Sequence, residues 1–208
     1  MNINKKALIL IDLQNDFCKG GSLAVPDGDL VIPIANQLQN YFDIIVATQD
    51  WHPHDHASFA VNHNGLQAGD VITLQGVQQV LWPAHCIQDT KGAEFHPDLN
   101  VHKVNKIFHK GTDKNIDSYS AFFDNAHLRA TGLGDYLKDH HVQEVYIMGL
   151  ATDYCVKYSA LDAKALGFNV SVIEDACRGV ELNEGDIAKA LNEMRAAGIK
   201  LILTKDIV

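Results

Sequence analysis

Six short apolar runs punctuate the chain, at 7–11, 43–48, 105–109, 144–148, 169–173 and 200–203. They are rich in Val, Ile and Leu and do not alternate with polar residues, which predicts parallel strands covered on both faces. Between them the apolar spacing turns helical. Leu30, Ile34 and Leu38 form one stripe of a helix predicted over 29–42, with Pro33 tolerable in its first turn. A shorter helix is predicted over 133–140. Val156, Ala160 and Ala163 stripe a helix over 154–166 that stops at Gly167, and Ile187, Leu191 and Met194 stripe one over 184–197 before Gly198. Strands alternating with helices predict an α/β three-layer sandwich, with a six-stranded, mostly parallel sheet and helices on both faces. Residues 51–104 break the rhythm. They are rich in Gly, Pro, Asn and His and predict only a short hairpin at 70–80. Such an excursion inside a compact domain is often functional. No repeat or linker divides the chain, so 1–208 reads as one domain carrying that excursion.

Composition narrows the function. With 47% hydrophobic and 21% charged residues, the 208-residue chain has the makings of a folded core. Its 17 Lys and Arg against 26 Asp and Glu leave a net charge of −9, which supplies no basic face for nucleic acid. No apolar run is long enough to cross a bilayer, and the Met1–Lys6 start does not read as a signal peptide, so a cytoplasmic protein without a membrane partner is expected. The cysteines at 18, 86, 155 and 177 form no C-x-x-C pair, which excludes a zinc ribbon or a thioredoxin motif.

The candidate chemistry lies at strand ends. Asp12, Asp50, Lys110 and Cys155 each follow a predicted strand, where an open α/β sheet forms its binding crevice. Alone, each has an ordinary explanation, a turn-forming Asp or an inert core Cys. Four reactive side chains at four strand ends favour function. Cys155 opens a predicted helix, where the macrodipole and a nearby Lys favour thiolate and free N–H groups can hold an oxyanion. Cys18, Cys86 and Cys177 lack that setting and read as structural. Asp12, Lys110 and Cys155 thus compose a nucleophilic triad, in which Asp12 takes the thiol proton and Lys110 keeps Asp12 ionised. His109 should point to the opposite face from Lys110 by strand alternation.

The 11 histidines suggest a metal. Asp50 and His52 sit two apart on an extended segment and can share one cation. A third ligand must come from His54, His56, His63, His85 or His96, of which His85 has the backbone most constrained, by Pro83. A His-rich surface loop without metal accounts for the spacing equally well.

Five segments together carry a resemblance: residues 9–17 (ILIDLQNDF), 48–53 (TQDWHP), 82–86 (WPAHC), Lys110-Gly111 with 117–122 (DSYSAF), and 149–155 (GLATDYC). In this order they resemble the nicotinamidase/pyrazinamidase family of isochorismatase-like cysteine hydrolases, over residues 7–179. The resemblance implies catalytic roles for Asp12, Lys110 and Cys155, and metal ligation by Asp50, His52 and His85, with waters completing the shell and Ser58 or His56 as further approaches. It implies an oxyanion hole from the N–H groups of Ala151 and Cys155 beside a cis Leu150–Ala151 bond, and aromatic walls from Phe17, Trp82 and Tyr119. The implied reaction converts nicotinamide, and also pyrazinamide, to the acid and ammonia through a Cys thioester. The implied cofactor is one divalent metal, Zn²⁺ first and Fe²⁺ or Mn²⁺ otherwise. The partner is then a small amide, and a homo-oligomer is left open. A superfamily hydrolase acting on isochorismate or a carbamoyl or ureido substrate, and a non-catalytic metal-binding protein, are the alternatives.

Overall fold

A computed structural model describes residues 5–208; Met1–Asn4, part of the N-terminal segment read above, lie outside it. The predicted strands become β1 (Lys5–Ile11), β2 (Ile44–Asp50), β5 (Lys106–Lys110), β6 (Val142–Leu150), β7 (Asn169–Arg178) and β8 (Lys200–Ile202). They form one sheet in the order β5-β2-β1-β6-β7-β8, and every pairing is parallel. Ala7 to Ile11 are fully buried, as unalternating apolar strands require. The predicted hairpin forms separately, as antiparallel β3 (Val71–Leu74) and β4 (Val77–Val80).

The helices are α1 (Val31–Leu38), α2 (Leu133–Asp139), α3 (Lys157–Ala165) and α4 (Asp186–Ala196). The chain first steps from β1 outward to β2 and β5, then returns to β6 and steps the other way to β7 and β8. Right-handed crossovers therefore put α1 on one face and α2 to α4 on the other. This reversal between β1 and β6 opens a crevice at their carboxyl ends.

One stripe differs from expectation. The 29–42 segment is a short α-helix between two 3-10 turns, Gly28–Leu30 and Gln39–Tyr41. Leu30 falls in the first turn and is 51% exposed, while Val31, Ile32, Ala35 and Leu38 face the core. The tighter 3-10 turn rotates Leu30 off the α-helical stripe. The 154–166 stripe holds, with Val156, Ala160 and Ala163 all buried.

Gly149 of β6 pairs with Ile11 at the end of β1. It has φ +127°, and a Cβ there would run into the Ile11 backbone. Among the described residues no helix is long and apolar enough to cross a membrane.

Candidate active site

Asp12 is the first residue past β1 and adopts φ +50°, a left-handed turn that leaves the strand direction. Asp50 and Lys110 close β2 and β5 and are direct partners in the parallel register. Register partners project to the same face, so these two meet. Cys155 lies in a π-helical turn, Thr152–Val156, that joins β6 to α3 across the switch point. All four are buried.

Lys110 is the hub. Its Nζ lies 2.8 Å from Asp12 Oδ2, contacts Asp50 Oδ1, donates to the Ser118 carbonyl at 3.0 Å and reaches Cys155 Sγ at 3.4 Å. Asp12 Oδ1 accepts from Thr48 Oγ1 at 2.6 Å, while Oδ2 takes no aligned hydrogen bond. Ligand atoms of Asp12, Asp50 and Cys155 all fall within 4.8 Å of one another. Acid, amine and sulfur thus meet, as the strand-end reading expects. His109 turns the other way, stacking on Trp51 at 4.5 Å.

Burial dominates the electrostatics. It raises Asp12 from 3.8 to about 6, against the lowering effect of Lys110 and with a further push from Asp50. Burial also works against Lys110 and Asp50, yet each holds the other charged: Lys110 rises well above its ordinary value and Asp50 falls well below. For Cys155 the contributions oppose one another. Burial pushes the thiol up, Lys110 pulls it down, and Asp12 and Asp50 push it up again, leaving it well above its ordinary value. Burial and the two carboxylates there outweigh the one ammonium. Beside the thiol lies the Asp12 carboxylate, which can take its proton.

Asp50 also faces a second group. Its Oδ2 lies 3.7 Å from His52 Nε2 and 3.8 Å from His85 Nε2, so His85 is the histidine of the excursion that the fold brings to this pair. His54 is exposed, and His63 is tied to the Ala57 carbonyl at 2.7 Å. His96 sits by the exposed Asp98 carboxylate. His52 Nδ1 bonds the Gly111 carbonyl at 2.9 Å and His85 Nδ1 the Pro83 carbonyl at 2.8 Å. A carbonyl only accepts, so each Nδ1 carries the proton and each Nε2 presents a lone pair towards Asp50. Buried His52 Nε2 has no hydrogen-bond partner. Burial resists protonating His52, but the facing Asp50 outweighs it and raises its pKa. Gly111, at φ +63°, allows this approach, because a Cβ would occupy the His52 ring position.

Charge counting agrees. Asp12, Asp50 and Asp117 are buried carboxylates within the two adjoining groups, against Lys110 as their one buried ammonium. Buried charges require compensation. A divalent cation on Asp50, His52 and His85 would supply it, and one carboxylate with two imidazoles suits Zn²⁺, Fe²⁺ or Mn²⁺ with open positions. His56 packs on His52 with ring centroids 4.4 Å apart. Its nitrogens meet Ser58 Oγ at 2.7 Å and the Ile116 carbonyl at 3.3 Å, and ligand atoms of His52, His56 and Asp117 lie within 4.8 Å of one another as a second group beside the first.

A small cleft joins the two groups, bordered by Phe17, Trp82, Tyr119, Tyr154, Ala151 and Cys155. The Leu150–Ala151 bond is cis. The three expected aromatic residues therefore line the cavity that holds the sulfur. Sequence reasoning missed four contributors. Tyr154 and Val180 close the cleft. Gln14 clamps Asp50, accepting from its N–H and donating to its carbonyl, both at 2.8 Å. Asp117 Oδ1 stands 4.0 Å from His52 Nε2. Gln14 and Asp117 lie inside the quoted motifs, where their burial was the missing signal.

The isochorismatase domain family matches residues 6–206. The chain belongs to that family. It is 49% identical over 205 residues to the nicotinamidase of Escherichia coli, covering 97% of this chain and 96% of that protein. A solved nicotinamidase/pyrazinamidase from Acinetobacter baumanii superposes with a TM-score of 0.96 at 49% identity, covering 99% of each chain. A pyrazinamidase of Pyrococcus horikoshii, solved in complex with zinc, matches with a TM-score of 0.78 at 38% identity, covering 96% of this chain and 99% of that one.

Proposed function

We propose that this chain hydrolyses nicotinamide to nicotinic acid and ammonia, and accepts pyrazinamide as well. The observation that carries this reading is that Asp12, Lys110 and Cys155 adjoin the Asp50, His52 and His85 group beside an aromatic-lined cleft reached by Cys155, Asp50 and His85. The full-length likeness to nicotinamidases supports the choice of substrate.

Phe17, Trp82 and Tyr119 hold a flat ring and orient its carboxamide towards Cys155, which is catalysis by proximity. Asp12 accepts the Cys155 proton as sulfur attacks the carbonyl carbon, and Lys110 steadies the ion pair of sulfur and acid. The N–H groups of Ala151 and Cys155 hold the oxyanion. Asp12 then gives the proton to the amide nitrogen, the C–N bond breaks and ammonia leaves a thioester. Asp12 next takes a proton from water as its oxygen attacks the thioester carbon. Sulfur departs, regains that proton from Asp12 and releases the acid.

Asp50, His52 and His85 would hold the divalent metal, which we assign as Zn²⁺ on the donor set and on the zinc-bound relative. When bound, it supplies positive charge that offsets Asp50 and gives the ring nitrogen an anchor. The whole chain acts as one unit, its 51–104 excursion providing His52, Trp82 and His85. Four free, buried cysteines, one of them the nucleophile, suit a reducing compartment such as the cytoplasm.

Ammonia release from nicotinamide, with and without a chelator, tests the reading. Release that a chelator abolishes and Zn²⁺ restores is expected. No release from metal-loaded protein overturns it.

A further inference from the structure

The β3–β4 hairpin carries a side chain that the proposed chemistry does not use. Its strand residues are exposed or half-buried except Gln79, which is fully buried although polar. A buried amide is destabilising unless its hydrogen bonds are met. Those of Gln79 are met by the reaction cleft. Its Nε2 has two hydrogens to share among three acceptors, the Val80 carbonyl at 2.8 Å, Asp117 Oδ2 at 3.0 Å and Tyr119 Oη at 2.9 Å. Its Oε1 accepts from Asn125 Nδ2 at 3.1 Å. The reverse amide orientation would face an acceptor oxygen to a carbonyl and a carboxylate, so the assignment is fixed by its partners.

We propose that Gln79 is a positioning residue that sets the aromatic wall for the substrate ring. Tyr119 Oη accepts from Gln79 Nε2 and also from Trp82 Nε1, the latter at 3.2 Å. One amide therefore links the hairpin, the phenol of Tyr119 and, through that oxygen, the indole of Trp82. The same nitrogen restrains Asp117, which faces His52. The hairpin also borders the approach. Val71, Gln78 and Val80 line an outer cavity of ≈ 320 Å³ that shares Tyr119 and Tyr154 with the cleft. Gln79 touches neither Cys155 nor Asp12, so it acts on ring binding rather than on bond making.

This inference rests on the nicotinamidase reading, and the experiment separates the two. Ammonia release is measured for the wild type, Gln79→Met, Tyr119→Phe and the double variant. Loss of one interaction of this kind is expected to raise KM about tenfold in Gln79→Met, with kcat within about twofold of wild type. Because both substitutions break the same link, the double variant is expected to raise KM no more than about twofold beyond the larger single effect. The affinity for nicotinic acid, read from Trp82 fluorescence in a Trp51→Phe background, should weaken in parallel, while the iodoacetamide rate of Cys155 stays constant. Gln79→Glu is the second variant. It keeps the size, loses the N–H donors and sets a carboxylate on Asp117, so its KM should rise further. A lowered kcat with unmoved KM, or effects that multiply in the double variant, overturns the role. If Gln79→Met does not fold, an unchanged KM in Gln79→Glu does the same. An inactive wild type refutes the nicotinamidase reading itself.

Discussion

Asp12→Asn should stabilise this fold while it stops turnover. The Asp12 carboxyl is fully buried and titrates at about 6 instead of 3.8, chiefly because burial disfavours its charge. That difference corresponds to about 3 kcal/mol of destabilisation by the ionised acid at neutral pH. Asn resembles the protonated acid, with its Oδ1 placed to accept from Lys110 Nζ and its Nδ2 to donate to Thr48 Oγ1. The sign follows from the raised folded value. The penalty is full above about 6 and fades as pH falls towards 3.8, where the acid is protonated in both states. Chelated wild type and Asp12→Asn should therefore be compared by urea unfolding at pH 8 and near pH 4. The variant is expected to be more stable by up to about 3 kcal/mol at pH 8, or roughly 6–12 °C in Tm, and nearly equal near pH 4. Turnover should fall at least a hundredfold with loss of the proton acceptor, by the usual ~10²–10⁴ of general-base catalysis. Equal stability at pH 8, or an advantage that does not change with pH, would refute the argument that burial strains this carboxylate.

The remaining expectations are simpler to read. Cys155→Ala should release no ammonia yet keep the wild-type circular dichroism spectrum, and measurable release would remove Cys155 as the nucleophile. His52→Ala should lose both bound metal and activity, so full metal content by elemental analysis in that variant would count against the ligand set. The acid limb of kcat/KM should fall as pH drops through about 6, since protonated Asp12 cannot accept the thiol proton; a profile flat to pH 4.5 would contradict it. Gly149→Ala should destabilise by several kcal/mol, because a Cβ would clash with the Ile11 backbone and that backbone cannot easily give way. A melting point within about 2 °C of wild type would show that the strands can separate there.

Much of the fold was legible because its strands are buried on both faces, which writes them into the chain as unbroken apolar runs. Their ends then located Asp12, Asp50, Lys110 and Cys155 at one mouth of the sheet. Leu30 escaped this logic, since a 3-10 turn changes the angle per residue without changing residue type. The excursion was less legible. Its histidines look alike in sequence, and the resemblance, not the spacing, selected His85.

The local order of residues determined the strands, the helices and the identity of the reactive groups, because periodicity and strand-end position act over a few neighbours. Only the tertiary structure decided which groups share a dielectric. Burial beside two carboxylates pushes the Cys155 thiol up, against the pull of Lys110. Packing from distant segments leaves His52 Nε2 without a donor and seals Gln79 among Asp117, Tyr119 and Asn125. Desolvation and unmatched lone pairs belong to no single residue, and they arise only when the chain has closed around them.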